Sequence, residues 1–206
     1  MLSQAVKDKK ENVTKRKKDK NREVLIIGCG GIGSYLIPLL DKTRLYKLTV
    51  FDPDTVELKN VTYQNFEENE VGENKAKTLR DRYYSISEAQ PYPILSQKQM
   101  EGYDLVVCCA DNLDVRKTLY TTKNIAWLDL RAQGRNAAMI SFQENPDIYN
   151  EKLAGPSGSF SCQGNDWDGS TSSQHFSHIV AGGMGAEWIH RFFAEDDNWK
   201  SKFIGI

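Results

Sequence analysis

The sequence predicts an α/β fold of Rossmann type, a mostly parallel sheet with an antiparallel C-terminal portion in a single domain. Three observations predict it. The apolar run Glu23-Val-Leu-Ile-Ile27 stops at the glycine turn Gly28-Cys-Gly-Gly-Ile-Gly33-Ser34, helix-spaced apolar residues follow the turn at once, and a second apolar run ends at Asp52. A short continuous apolar run closed by glycine reads as a buried parallel strand feeding a tight turn. With the next helix and strand it makes a β-α-β unit of about 30 residues, the size of one mononucleotide-binding half.

Each element follows from its pattern. Ile32, Tyr35, Leu36 and Leu39 predict a helix over Gly31–Leu40, and Lys47–Asp52 is the second strand. Thr55–Glu73 reads as a polar, Asn-rich loop, Asn74–Tyr84 as a charged helix and Pro91–Ser96 as a third strand. Tyr103–Ala110 is the fourth strand, Leu113–Tyr120 a helix and Ile125–Leu130 the fifth strand. Ala137–Phe142 is the sixth, and the short link through Gly134 predicts that it runs antiparallel, because a parallel crossover needs a dozen or more residues. Asn145–Ser173 loses periodicity and fills with Gly, Ser, Asp and Asn, and a loop of that length is more often functional than idle. A last helix over His175–Phe193 is crossed by Gly182, Gly183 and Gly185, which predict close packing against the sheet. Trp188, Phe192 and Phe193 on that helix are expected in the core or at a subunit interface.

With 206 residues, 39% hydrophobic and 27% charged, the chain has the length and composition of one soluble domain able to build its core without disulfides. No apolar run reaches the roughly 20 residues of a membrane span, and the N-terminus lacks the apolar segment of a signal peptide. A cytoplasmic protein with no membrane partner is expected. Cys29, Cys108, Cys109 and Cys162 have no disulfide-framework spacing and form no Cys-x-x-Cys pair, so no structural zinc is predicted. His175 and His178 have no third ligand near them and read as capping or packing residues. Lys7–Arg22 carries nine Lys/Arg against three Asp/Glu, which marks residues 1–22 as a basic, mobile or loosely helical arm ahead of a domain spanning 23–206. No aromatics interleave with its lysines, so a nucleic acid is not expected as partner.

The glycine run lets backbone amides at a helix N-terminus approach phosphate oxygens with no Cβ in the way. Asp52, about 20 residues further on, is placed to hydrogen-bond a ribose diol. Both features would also suit a nicotinamide-dependent oxidoreductase, which has no need of the dense polar stretch Asp52-Pro-Asp54-Thr-Val-Glu57-Leu-Lys-Asn60-Val-Thr-Tyr-Gln64 and the later Gly72-Glu-Asn-Lys75.

Five ordered segments, Gly28–Ser34, Asp52–Val56, Asn60–Gln64, Gly72–Lys75 and Asp111–Arg116, resemble the motifs of the ThiF, MoeB and HesA proteins, the ubiquitin-activating-like adenylyltransferases. The resemblance covers roughly Glu23–Ala194. It implies binding of ATP with magnesium, and attack by the C-terminal carboxylate of a small ubiquitin-fold carrier ending in Gly-Gly on the α-phosphate. It implies that Gly28, Gly30, Gly31, Gly33, Ser34, Asp52, Asp54, Asn60, Gln64 and Lys75 bind the nucleotide, that Lys75 neutralises phosphate charge in transfer, and that Asp111 holds the magnesium. In some members a cysteine near the position of Cys162 forms a thioester or persulfide with the carrier, and members often form homodimers. Asp111-Asn112 also reads as the N-cap of the helix that follows, and Arg116 as a loop anchor through a carboxylate.

One departure stands out. The family usually has Arg where this chain has Tyr63, and a phenol brings no positive charge to a phosphate clamp. Arg16, Arg22, Arg131 and Arg135 are candidate substitutes. Without a substitute, the chain would be a catalytically impaired nucleotide-binding scaffold.

Overall fold

The computed structural model describes residues 22–144, 162, 163, 167, 169–196 and 202–205. Residues 1–21 of the predicted N-terminal arm (1–22) and most of the long loop before the last helix lie outside the described residues. Strands β1 (Glu23–Ile27), β2 (Lys47–Phe51), β3 (Ile86–Gln90), β4 (Leu105–Cys108), β5 (Trp127–Gln133), β6 (Asn136–Ser141) and β7 (Lys202–Gly205) form one sheet in the order β3-β2-β1-β4-β5-β6-β7. Pairings from β3 through β5 are parallel, and β5-β6 and β6-β7 are antiparallel. The expected architecture is therefore observed, including the antiparallel sixth strand. Its two-residue connection places Gly134 at φ 55, where glycine avoids the Cβ penalty.

The helices are α1 (Gly33–Thr43), α2 (Leu58–Val61), α3 (Lys75–Arg82), α4 (Leu113–Thr121) and α5 (Ser177–Phe193). Leu36, Ile37 and Leu40 of α1 are buried, each burial stabilising the fold by roughly 1.5–3 kcal/mol. Helix α5 packs against α1 and against β5 and β6, so α1 and α5 share a face of the sheet. The packing against the sheet predicted for the α5 glycines holds at Gly185 alone, since Gly182 packs against α1 and Gly183 is open. A Cβ on Gly185 would stand 2.4 Å from Leu130 Cδ1, and one on Gly182 would stand 3.4 Å from the Leu36 backbone nitrogen, whereas at Gly183 it would meet nothing. Trp188, Phe192 and Phe193 are buried in the core. No helix among the described residues is long and apolar enough to cross a membrane.

Two elements differ from expectation. The third strand is Ile86–Gln90, not Pro91–Ser96. Pro91 and Pro93 have no N–H to give a ladder, while Ile86–Gln90, a polar stretch, pairs at the sheet's edge. The Asn-rich loop contains the short helix α2, held by a capping box in which the Glu57 N–H donates to Asn60 Oδ1 at 2.9 Å.

Candidate active site

The strand order reverses between β1 and β4, and at such a switch point in an open parallel sheet the carboxyl ends of the strands leave a crevice. A cavity of about 660 Å³ fills it, within the size range of small-molecule sites. Gly28, Gly30, Gly31, Asp52, Asp54, Asn60, Gln64, Lys75, Asp111 and Cys162 all line it. Gly33 and Ser34 do not.

The four glycines divide their work. Gly28 sits at φ +95, and a Cβ there would lie 2.8 Å from the Ala110 nitrogen, so it lets the turn pass against the end of β4. A Cβ on Gly33 would lie 2.0 Å from the Gly28 carbonyl oxygen, so that glycine closes the turn onto α1. Gly30 faces the cavity, where a Cβ would find only the Gln64 amide at 3.8 Å. Gly31 lies against Cys162. The turn is anchored to the end of β2 by the Asp52 carboxylate, which accepts from the Cys29 N–H (2.6 Å) and the Asp54 N–H (2.8 Å). Burial pushes the Asp52 carboxyl pKa up, opposed by these two donors and by Lys75.

Ser34 is fully buried and works from behind the site. Pro38, inside α1, has no N–H for the Ser34 carbonyl, and Asn65 Nδ2 donates to that carbonyl instead at 3.1 Å. The Asn65 N–H also donates to Ser34 Oγ (3.0 Å) and the Arg82 guanidinium to the Asn65 carbonyl (2.8 Å). This joint fixes the loop that carries Asn60 and Gln64 over the crevice. Gln64 is 7% exposed, and its Oε1 has no hydrogen-bond partner among the described residues, an acceptor held at the cavity wall.

Lys75 opens α3 because Asn74 is its N-cap, accepting from the Lys77 N–H at 3.1 Å. Asn74 Nδ2 also donates to the carbonyls of Asp52 (2.9 Å) and Asp54 (3.0 Å), which clamps the helix start to the end of β2. Lys75 is 5% exposed, with Nζ 3.4 Å from Asp54 Oδ2. That separation exceeds the roughly 2.7–2.9 Å of a strong charge-assisted bond, so the ammonium retains donor capacity for an anion. Its charge is felt at Cys29, Asp52, Glu57, Tyr63 and Cys162.

Asp111 leads directly into α4, and Asn112 is the N-cap, accepting from the N–H groups of Asp114 (2.8 Å) and Val115 (3.2 Å). Arg116 contacts a carboxylate, as its position in the sequence led us to expect. Its Nε lies 3.3 Å from Asp129 Oδ1, and Asp129 is fully buried. Arg131 donates to the other oxygen of Asp129 at 2.8 Å, and the Tyr120 hydroxyl also donates to that carboxylate. The four side chains form one buried polar unit under the crevice.

The far wall is aromatic. Tyr63 is buried, its ring set edge-on to Trp167 at 5.1 Å and to His178 at 6.1 Å, and burial raises its phenol pKa, so the side chain is neutral. His178 packs against Tyr35, a packing role in keeping with its sequence. Cys162 is half-buried. Burial, with the Asp111 charge nearby, pushes its pKa up to about 12. Its carbonyl accepts from the Gly134 N–H at 3.0 Å. Gln163 holds the same segment, accepting from the His175 N–H (2.7 Å) and donating to the His175 carbonyl (2.9 Å). Asn65, Asn74 and Gln163 escaped sequence reasoning, although Asn74 just ahead of a helix is an N-cap signal. Of the substitutes considered for the missing arginine, Arg16 lies outside the described residues and Arg22, Arg131 and Arg135 do not line the cavity. Lys59 does.

The chain is similar to known proteins in sequence and in fold. Ubiquitin-like modifier-activating enzyme 5 of Dictyostelium discoideum is 30% identical over 131 residues, 54% of this chain and 33% of that protein. Molybdopterin-synthase adenylyltransferase of Salmonella typhimurium is 28% identical over 148 residues, 63% of this chain and 58% of that protein. The chain thus spans between a third and three-fifths of the length of these relatives. The crystal structure of E. coli MccB with ATP shares the fold, with a TM-score of 0.67 and 20% identity over 94% of this chain and 63% of that one. The sequence model of the ThiF family matches residues 4–198, nearly the whole chain, and the chain belongs to that family.

Proposed function

We propose that the chain catalyses ATP-dependent adenylation of the C-terminal carboxylate of a small ubiquitin-like or sulfur-carrier protein ending in Gly-Gly, acting as a homodimer. The observation that carries this reading is Lys75, a buried ammonium at the rim of a glycine turn and in the same cavity as Asp111. In the proposed reaction a carboxylate oxygen of the carrier bonds to the α-phosphorus, the bond to the bridging oxygen of the β-phosphate breaks, and pyrophosphate leaves. Negative charge builds on the phosphate oxygens as this happens. Lys75 and the turn amides are pre-placed to meet it, and such preorganised donors are usually the largest catalytic contribution.

The site also suits ATP and magnesium. A nucleotide fits beside Gly30, where a Cβ would fill the cradle, and near Gln64 Oε1, an acceptor with no partner among the described residues. Among the described residues no cluster of three or more His, Cys, Asp or Glu side chains could hold a metal by itself. Magnesium asks for less, since it is commonly held by one or two carboxylates together with the nucleotide's phosphates, and Asp111 would be that carboxylate. Bound there, it would supply positive charge to the phosphate oxygens.

A thioester or persulfide relay through Cys162 would require a thiolate. Burial and the nearby Asp111 charge disfavour that thiolate, so the proposal is confined to formation of the acyl-adenylate. The second reading, a scaffold that binds nucleotide without turning it over, is favoured by the neutral Tyr63. Magnesium-dependent exchange of labelled pyrophosphate into ATP, stimulated by a Gly-Gly-ending carrier and abolished when that Gly-Gly is removed, tests the first reading. ATP binding without exchange on any such carrier would leave the scaffold. Light scattering of the purified chain tests the homodimer.

A further inference from the structure

A bound triphosphate brings about four negative charges into a cavity already lined by Asp52, Asp54, Glu57 and Asp111. Three cations line the same cavity. Arg116 is buried against Asp129, and Lys75 is buried beside Asp54. The third, Lys59, stands on α2 with its side chain 65% exposed, and its Nζ lies 2.8 Å from Glu57 Oε2, a carboxylate itself 58% exposed. An ion pair so open to water is only weakly stabilising, so exchanging Glu57 for a phosphate oxygen costs Lys59 little. Lys59 also belongs to the same short helix as Asn60, whose capping box fixes the start of that helix at the cavity wall. Its charge couples to Tyr63 and Asp54.

We propose that Lys59 is the mobile phosphate-binding cation of this site, leaving Glu57 to contact the polyphosphate of the nucleotide and supplying the charge that Tyr63 lacks. The proposal rests on the nucleotide-binding reading above. It assigns Lys59 to phosphate and not to the base or ribose, so its loss distinguishes ATP from adenosine.

The test is calorimetric titration of ATP and of adenosine, with magnesium present, into the full chain and its Lys59→Ala and Lys59→Arg variants. Lys59→Ala is expected to weaken ATP about ten-fold or more, the scale of a hydrogen bond to a charged group, while adenosine stays within about two-fold. The adenosine titration also reports that the variant is folded. Lys59→Arg keeps ATP binding within about three-fold, because the charge is retained. If the natural chain binds ATP and Lys59→Ala binds it equally well, or if Lys59→Ala weakens ATP and adenosine alike, the assignment is overturned while the nucleotide site stands. If the natural chain binds no ATP, the nucleotide-binding reading fails and this assignment fails with it.

Discussion

The contact between Gly31 and Cys162 can be tested by a suppressor pair. A Cβ added at Gly31 would lie 2.5 Å from Cys162 Sγ, about 1 Å inside ordinary contact, but 3.5 Å from Cys162 Cβ, which is acceptable. The obstruction in Gly31→Ala is therefore the sulfur atom alone. Overpacking of this kind costs roughly 1–3 kcal/mol. Cys162→Ala removes the sulfur from a half-buried site and by itself costs about 1 kcal/mol of lost burial. In the double variant the clash is gone, and Ala at a backbone position without positive φ even returns about 0.4–1 kcal/mol of unfolded-state entropy. The pair should therefore be no less stable than Cys162→Ala alone, a coupling of about 1–3 kcal/mol against additivity. Urea unfolding measures this directly, and in thermal melts each kcal/mol moves the midpoint of a chain this size by about 2–4 °C. Strict additivity would mean that Cys162 does not sit on the glycine turn.

Lys75→Met should reduce pyrophosphate exchange by about 10²–10³-fold, as removal of a preorganised charge donor does, while circular dichroism stays unchanged because the deserted Asp54 is solvent-exposed. Cys162→Ala should keep exchange within a few-fold of the natural chain, because adenylation uses no thiol, and abolition would show that the Cys162 side chain is needed for adenylation itself. Asp129→Leu should destabilise by about 3–5 kcal/mol in urea, since it leaves the Arg116 and Arg131 guanidiniums buried without their carboxylate. Burial holds the His178 imidazole pKa below its ordinary value, so the unfolded chain takes up a proton first as pH falls through about 6.5. Its contribution to stability is thus present above that pH and is lost below it. In His178→Gln the fall in unfolding free energy between pH 7.5 and 5.5 should be shallower, and an unchanged slope would refute the assignment.

What could be read from the sequence was what is written locally. The β1-turn-α1-β2 unit shows in residues 23–52 because buried strand, glycine turn and helix each leave a pattern within a few positions. The antiparallel β6 could be foreseen because only a tight turn fits the distance at Gly134. The third strand was misplaced because its partner, not its composition, makes it a strand. Ile86–Gln90 is polar and pairs only with β2, at the edge of the sheet. β7, four residues beside β6 and far along the chain from it, left no pattern at all. The site shows the same division. Its chemistry-bearing residues could be named from ordered motifs, whereas the residues that hold them, Asn65 on Ser34 across 31 positions and Gln163 on His175 across 12, act through side-chain to backbone bonds that carry no local signature. Lys59 went unnoticed because an exposed lysine on a loop looks like any other until the cavity is seen around it.

The distances within the site have a topological cause. Gly28 and Asp111 are far apart in sequence, yet β1 and β4 pair in register from Val24 with Leu105 to Ile27 with Cys108, so the turns after those strands must emerge side by side. That contact is close enough to require a glycine at 28. Lys75 arrives by another route. It does not follow a strand: the two hydrogen bonds from Asn74 to the end of β2, with backbone bonds from the Lys75 N–H to the Asp54 carbonyl at 3.0 Å and from the Val56 N–H to the Glu73 carbonyl at 2.8 Å, fix where α3 begins. The glycine turn therefore inherits its position from the sheet, while Lys75 depends on a local clamp to which Asn74 gives the side-chain bonds. Asn74→Ala keeps the helix sequence and the lysine but removes both the N-cap and the clamp, at a stability cost of about 0.5–2 kcal/mol for the cap. Its effect on exchange should exceed its effect on stability, because what it loosens is the placement of Lys75 relative to the turn. Exchange that falls only in proportion to the folded fraction would show that Lys75 finds its position without Asn74.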